Sequence, residues 1–332
     1  MQMKSRQVFV VAHRVLACAL LTFGAAAQAQ KKPADAPWPT KPVKILVGFP
    51  AGSSPDIGAR IIAEPLAKLL GQPVVVENRP GASGNIAADA VAKASDDHTL
   101  GVVINGNLTS AKMLNPKLPF DPAKDFTLIS LTTTAPLVLV TTPNQPGGAE
   151  FFAAAKAGAA QWNYGSVGVG SVGHLGMELL KTKAPGMDAL HVPFAGNPQI
   201  VTAMIGGQIQ AALMPPGVAM PQVKAGKLRA VGLAGGRSTL VPELEPLSAA
   251  GISGFNLEVW NALIGPASLP PAATRKLSAA VTEVLRQSET RQRLFTAGWQ
   301  AVGTSPEGLK LRVDEEAKAM AGIIATRGIK LD

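Results

Sequence analysis

The chain has 332 residues, a formal net charge of +9, 47% hydrophobic and 5% aromatic residues, and a single cysteine. That length suffices for two domains of ordinary size, and the lone Cys18 excludes a disulfide framework, a thiolate metal site and, once the N-terminus is removed, a thiol nucleophile. Basic residues are scattered and Tyr164 is the only tyrosine, so the chain lacks the clustered charge and stacking aromatics of a nucleic-acid binder.

The first segment has a basic start (Lys4, Arg6, Arg14), an apolar stretch and then GAAAQAQ, with Ala27 and Ala29 at the small-residue positions of a cleavage site. The apolar part is shorter than the roughly 18 to 20 residues of a membrane span, so residues 1–29 are expected to be a cleaved signal peptide and the protein to be periplasmic. Its removal lowers the formal charge to about +6, a modest excess that steers anionic ligands.

Strand and helix patterns alternate thereafter, which predicts an α/β protein with mainly parallel sheets. The run Val43 to Phe49 is apolar enough for a strand buried on both faces. The small-residue loop of GFPAGSSPD then leads into a helix with Ser54 as N-cap, Pro55 as first residue and Asp56 as a first-turn acid, an arrangement that holds anions. Pro73 to Arg79 (strand), Ile86 to Ala94 (helix) and Thr99 to Asn105 (strand) follow. Leu128 to Leu131 and Leu137 to Thr142 are two extended segments, Ala149 to Ala159 is a short helix, and TTPNQPGG marks a chain crossing.

A second alternating set runs through Trp162 to Ser166, Gly173 to Thr182, Ala189 to Phe194, Pro198 to Gly206, Ile209 to Met214, Ala219 to Ala225 and Leu228 to Ala234. Asn256 to Pro266 is a return strand, and amphipathic helices that include Pro270 to Arg286 and Pro306 to Arg327 complete the chain. Two chain crossings between two similar lobes are the layout of a hinged binding protein with its ligand in the cleft. The expected division is residues 30–140 plus 262–332 for lobe 1 and 141–261 for lobe 2.

Several motifs point elsewhere. GVGSVG at Gly168 to Gly173 matches the G-x-G-x-x-G dinucleotide fingerprint, but the acid twenty residues on, Asp188, precedes its strand instead of ending it, so the loop is read as an anion loop. No G-x-S-x-G surrounds Ser166 or Ser171. Of the histidines, His98 and His191 belong to strands, while His174 falls in the first turn after the glycine loop, where it donates to a ligand or caps and packs the helix. No spacing of His, Asp or Glu suits a metal, no cofactor motif stands, and Asp314, Glu315 and Glu316 are read as a solvated helix face. PGASGN (Pro80 to Asn85) is a connector, whereas NGN (Asn105 to Asn107) and PFAGNPQ (Pro193 to Gln199) lie at strand ends where ligands collect.

Taken together, WPTKPVKILVGFPAGSSPDIGAR, GQPVVVENRPGASGNIAADAVAKA, LPFDPAKDFTLIS, NYGSVGVGSVGHLGMELL, QVKAGKLRA and the terminal GIKLD resemble, in order and spacing, the substrate-binding receptors of tripartite tricarboxylate transporters, the Bug family. The resemblance implies a type II periplasmic binding-protein fold: two α/β lobes, joined by a two-segment hinge, closing on a small organic acid. It implies a carboxylate held by backbone amides, hydroxyls and water without an arginine clamp, and as partners the membrane subunits of such a transporter, with the receptor itself a monomer and not an enzyme. Carried over by position, the first-lobe contacts are Phe49, Ala51, Gly52, Ser53 and Asp56 with Asn105 and Asn107, and the second-lobe contacts are Ser166, Gly170, Ser171, His174, Phe194 and Gly196.

Two departures bear on specificity. The family's Tyr-Lys-Gly-Gly is Phe194-Ala195-Gly196-Asn197 here, and its Asp after a later strand is replaced by Met214-Pro215-Pro216. Without that acid an ammonium has no counter-charge, so a plain mono- or dicarboxylate is expected. The rival readings are an exported hydrolase or transferase on the same scaffold and a receptor that serves a sensor kinase.

Overall fold

A computed structural model describes residues 38–158 and 162–330; the expected signal peptide lies outside the described residues. The first strand, β1 (Val43–Val47), is parallel to β2 (Val74–Asn78) and β3 (Thr99–Ile104), with helix α1 (Ser54–Leu70) between the first two and α2 (Asn85–Ala92) between the next two. Val43, Ile45 and Val47 join one apolar cluster while Leu46 joins the cluster on the opposite face. A strand covered on both sides has no polar alternation, and this is why VKILV carries so little of it.

Short helices α3 (Asn105–Leu108) and α4 (Ala111–Leu114) follow β3, and then β4 (Phe126–Thr141) runs for 16 residues. The two extended segments expected in this region are thus one strand, with register shifts between Leu128 and Ser130 and between Leu131 and Thr133. The threonine run and Pro136 obscure it in the sequence. Pro136 is tolerated because it pairs with Glu258 at the last rung before β4 changes partner.

After α5 (Gly148–Gly158) come β5 (Asn163–Ser166), α6 (Val172–Lys183), β6 (Leu190–Pro193), α7 (Asn197–Ile205), β7 (Ala211–Met214), α8 (Pro216–Lys224) and β8 (Arg229–Ala234). The chain returns through β9 (Glu258–Pro266) and ends in α9 (Pro271–Arg286), α10 (Ser288–Thr296), β10 (Gln300–Ala301) and α11 (Pro306–Arg327). The strand order is β2-β1-β3-β9-β4-β7-β5-β6, with β8 and β10 also paired to β4. Parallel pairing holds at both flanks, but the centre is antiparallel: β9 pairs with β3 and β4, and β4 also with β7 and β8. The sheet is therefore mixed, which corrects the expectation of mainly parallel pairing, because the two long crossing strands must run against their neighbours.

β4 pairs with β9 up to Pro136 and with β7 and β8 from Leu137 onward. Beyond this point its alternate residues separate cleanly, Leu137 and Leu139 to one cluster and Val138 and Val140 to another. Helix α11 crosses the same region. Its Arg327 bonds Glu178 of α6, while Glu316 accepts from Asn105 Nδ2 at 2.7 Å and from the Trp260 indole at 2.5 Å.

Glu316 thus does not belong to a solvated face; its side chain is about one-tenth exposed, unlike those of Asp314 and Glu315. Burial raises its carboxyl above the usual range despite hydrogen bonds from Trp260 and Asn105 and the charge of Arg312. Replacing Glu316 with Ala should leave the Trp260 indole unpaired and the Asn105 amide with only its bond to Glu258 O, a loss of about 2–4 kcal/mol measurable by urea unfolding.

Candidate ligand-binding site

A helix that follows a parallel strand begins at that strand's C-terminal edge, with its first N–H groups lacking intrahelical acceptors. In this chain α1, α6, α7 and α8, following β1, β5, β6 and β7, bring their starts to one cavity. They contribute Ser54 and Pro55, then Ser171 to Gly173, then Asn197, then Pro215. The crossing strands supply Leu137, Val259 and Asn261, and Trp299 comes from beyond α10. Among the described residues, no lysine, arginine, histidine or carboxylate is part of this lining. The electrostatics are those of four aligned dipole ends against an apolar surface.

The N-cap of α1 is Ser53, one residue earlier than the sequence reading placed it, so Ser54 is the first helical residue and Pro55 the second. The shift puts Ser54 in the cavity wall, with its hydroxyl buried and without a partner among the described residues. Ser171 caps α6: its Oγ accepts from His174 N at 3.3 Å and donates to Gly168 O at 2.8 Å. Gly168 and Gly170 adopt φ of +115° and +83°, so the glycines of GVGSVG serve a left-handed turn that aims the α6 start at the cavity.

Of the residues expected to contact ligand, Phe49 and Ser171 line the cavity. Ser53 is buried beside them, its hydroxyl without a partner among the described residues, while Ala51 and Gly52 are exposed. Asp56 is committed to the protein: it accepts from Gly52 N, Arg60 Nε and Asn78 Nδ2 at 2.8 to 3.0 Å. Burial pushes its carboxyl up, but those hydrogen bonds outweigh it and hold it below the usual range.

Asn105 bonds Glu258 O and Glu316, and Asn107 ties Ile104 N to Ser83 O and Asn85. Phe194 lines an outer groove with the Ala82–Ser83 turn, and Gly196 packs on Pro50. Ser54, Asn197, Asn261 and Trp299 were not foreseen. The first two are one or two places from residues that were, whereas nothing local marks Asn261 or Trp299.

The loop before α6 rests on a buried polar platform. His174 Nδ1 accepts from Gly170 N at 3.2 Å, and Ser166 Oγ lies 2.7 Å from His191 Nε2. The imidazoles stack at 4.1 Å between ring centroids, with Tyr164 stacked on His191 and its hydroxyl bonded to Glu178 at 2.7 Å. Burial lowers His174 to about 4, and burial with the charge of its neighbour lowers His191 to about 3. Both rings are therefore neutral at pH 7, and His174 supports the loop, not the cavity wall.

The Ser83 hydroxyl donates to Val169 O at 3.1 Å and the Ser110 hydroxyl to Gly170 O at 2.6 Å, binding this loop to the turns around β3. Ser83 and Ala82 hold φ of +56° and +48°, strained for residues with side chains.

The model of the tripartite tricarboxylate transporter family receptor matches residues 58–329. The chain belongs to this family. Its receptors are solute-binding proteins of the periplasm, and the fold described above is theirs. Protein BugT of Bordetella pertussis is 30% identical over 299 residues, 89% of this chain and 91% of that one. Among solved structures, MatC from Rhodopseudomonas palustris with bound malate is 33% identical, covers 86% of this chain and all of its own, and superimposes with a TM-score of 0.81. A second R. palustris protein, solved with adipate, is 28% identical, covers 88% of this chain and 99% of its own, with a TM-score of 0.85.

Because the histidines are neutral when folded and take up protons near 6.5 when unfolded, acid favours the unfolded chain. Stability should fall as pH drops from about 6.5 toward about 4. Urea unfolding across that range, repeated on His191→Gln, should show the slope flattened in the variant.

Proposed function

We propose that the protein is an exported receptor, released by a signal within residues 1–29, that closes two lobes on a small mono- or dicarboxylate and presents it to the membrane subunits of a tripartite tricarboxylate transporter without chemically altering it. The observation that carries this reading is the meeting of four helix N-termini at a cavity lined by no charged side chain.

Charge-assisted bonds from N–H groups to a carboxylate contribute about 1.5–3 kcal/mol each, more than neutral ones. Unlike an arginine, these dipoles need no ion to be stripped of water in the ligand-free state. The same lining disfavours an amino acid, since no carboxylate awaits its ammonium. Malate and adipate, carried by the two R. palustris structures, belong to the proposed class.

The lobes divide where β4 exchanges β9 for β7 and β8 and where β9 begins, between Pro136 and Leu137 and just before Glu258. The bonds of Ser83 and Ser110 to the 168–170 loop then close the front of the cleft and must break for it to open. Catalysis is disfavoured because the hydroxyls of Ser54 and Ser171 have no base among the lining residues.

A thermal-shift screen at pH 7 over mono-, di- and tricarboxylates, aspartate and glutamate should give stabilisation by simple acids recovered intact by mass spectrometry. Stabilisation by the amino acids alone, or turnover of the hit, would overturn the reading. Ser54→Ala should weaken the best hit about tenfold, as read by calorimetry, yet leave ligand-free unfolding within about 0.5 kcal/mol of the parent, since its hydroxyl has no partner among the described residues.

A further inference from the structure

Strand β9 is buried from Val259 to Pro266, and in its middle stands an amide, Asn261, with 1% of its surface exposed. It is flanked in register by Ile104 of β3 and Thr133 of β4. Its Nδ2 donates to Thr133 Oγ1 at 3.0 Å, but its Oδ1 has no partner among the described residues. An apolar side chain would suit this strand at no such cost, because an unsatisfied buried amide oxygen forfeits its hydration. Val259, two residues away and on the same face, lines the cavity beside Asn261, so the side chain that carries the free oxygen is part of the wall of the candidate site. A Cβ built on Gly58 of α1 would stand 3.8 Å from Asn261 Nδ2, in ordinary contact, which places the amide beneath the second turn of the helix whose start faces the cavity.

The rest of the site offers donors. A carbonyl oxygen among them is misplaced for a carboxylate, which it repels, and insufficient for an ammonium, which has no counter-charge here. It suits an uncharged donor on the ligand's body. Resting on the carboxylate reading above, we infer that Asn261 determines specificity by accepting a hydrogen bond from a hydroxyl close to the carboxylate held at the start of α1, so that the receptor selects hydroxy acids over their unsubstituted counterparts. The ligand hydroxyl supplies the one donor that Oδ1 lacks, and Thr133 holds the amide in the orientation that offers it.

The test is calorimetric titration of the parent protein and of Asn261→Leu with matched acids that differ by one hydroxyl: malate and succinate, 3-hydroxybutyrate and butyrate, lactate and propionate, and the tightest acid of the thermal screen with its 2-hydroxy analogue. The parent should bind the hydroxy member at least tenfold more tightly in the pairs that fit, and Asn261→Leu should abolish that preference while changing the unsubstituted acid less than about threefold. Asn261→Val, β-branched and suited to a strand, replaces the Leu variant if that one does not fold. Equal affinity within every pair for the parent, or equal weakening of both members in the variant, overturns the inference. The second result would mean that the amide has turned over, with Thr133 donating, and that Nδ2 holds a carboxylate. Binding of unsubstituted acids alone sinks this inference and leaves the carboxylate reading standing; binding of no acid sinks both.

Discussion

The site depends on one geometric constraint, that a helix entered from a parallel strand must start at the strand's C-terminal edge with unpaired N–H groups pointing outward. One such start is a common feature of any α/β protein. Four of them around one cavity are a consequence of strand order: β1 lies on one flank of the sheet and β5, β6 and β7 on the other, with β4 and β9 between. The central strands therefore form the floor and the flanks supply the facing walls. Positive potential is delivered by main chain alone, and the side chains that fill the remaining wall are apolar or hydroxyl and amide groups.

Delivering charge through the backbone transfers the burden to whatever orients that backbone. At α1 the orientation comes from Asp56, whose carboxylate collects Gly52 N, Arg60 and Asn78. At α6 it comes from Ser171 and from the stacked His174 and His191, kept neutral by burial, with Glu178, Lys181 and Arg327 balancing charge behind Tyr164. Residues that look like ligand contacts by motif thus act one layer behind the cavity. The chemistry of a carboxylate and an imidazole is used to hold loops, through bonds made within the protein.

The middle of the molecule solves a different problem. β4 and β9 must serve both flanks, so they are long and antiparallel, and β4 slips register on either side of the exchange, between Leu128 and Ser130, between Leu131 and Thr133, and between Leu139 and Val140. Strain at Ala82 and Ser83 sits where the turn before α2 meets the glycine loop, balanced by the Ser83 hydroxyl on Val169 and by Asn107 on the Ser83 carbonyl. These hydrogen bonds join the turns around β3 to the glycine loop of the other flank.

Much of this was legible in the chain itself. Apolar runs, proline-led helix starts and glycine loops located β1, β5, β6 and β7 and the helices after them, because local propensity and capping chemistry are written within a few residues. The same locality pointed to Phe49 and Ser171, which line the cavity, and to loops without charge. What local pattern misjudged was the antiparallel centre, where the threonines and Pro136 of β4 mask a continuous strand, and the burial of Glu316, whose acidic neighbours resemble a solvent face. Asn261 and Trp299 were invisible, since a lone Asn in a buried strand and a Trp near a turn acquire meaning only from the elements packed against them. The amino-acid order alone determined which segments present free N–H groups; only tertiary packing decided that four of them share one cavity and which polar side chains stand unpaired in its wall, because those relations join residues distant in sequence.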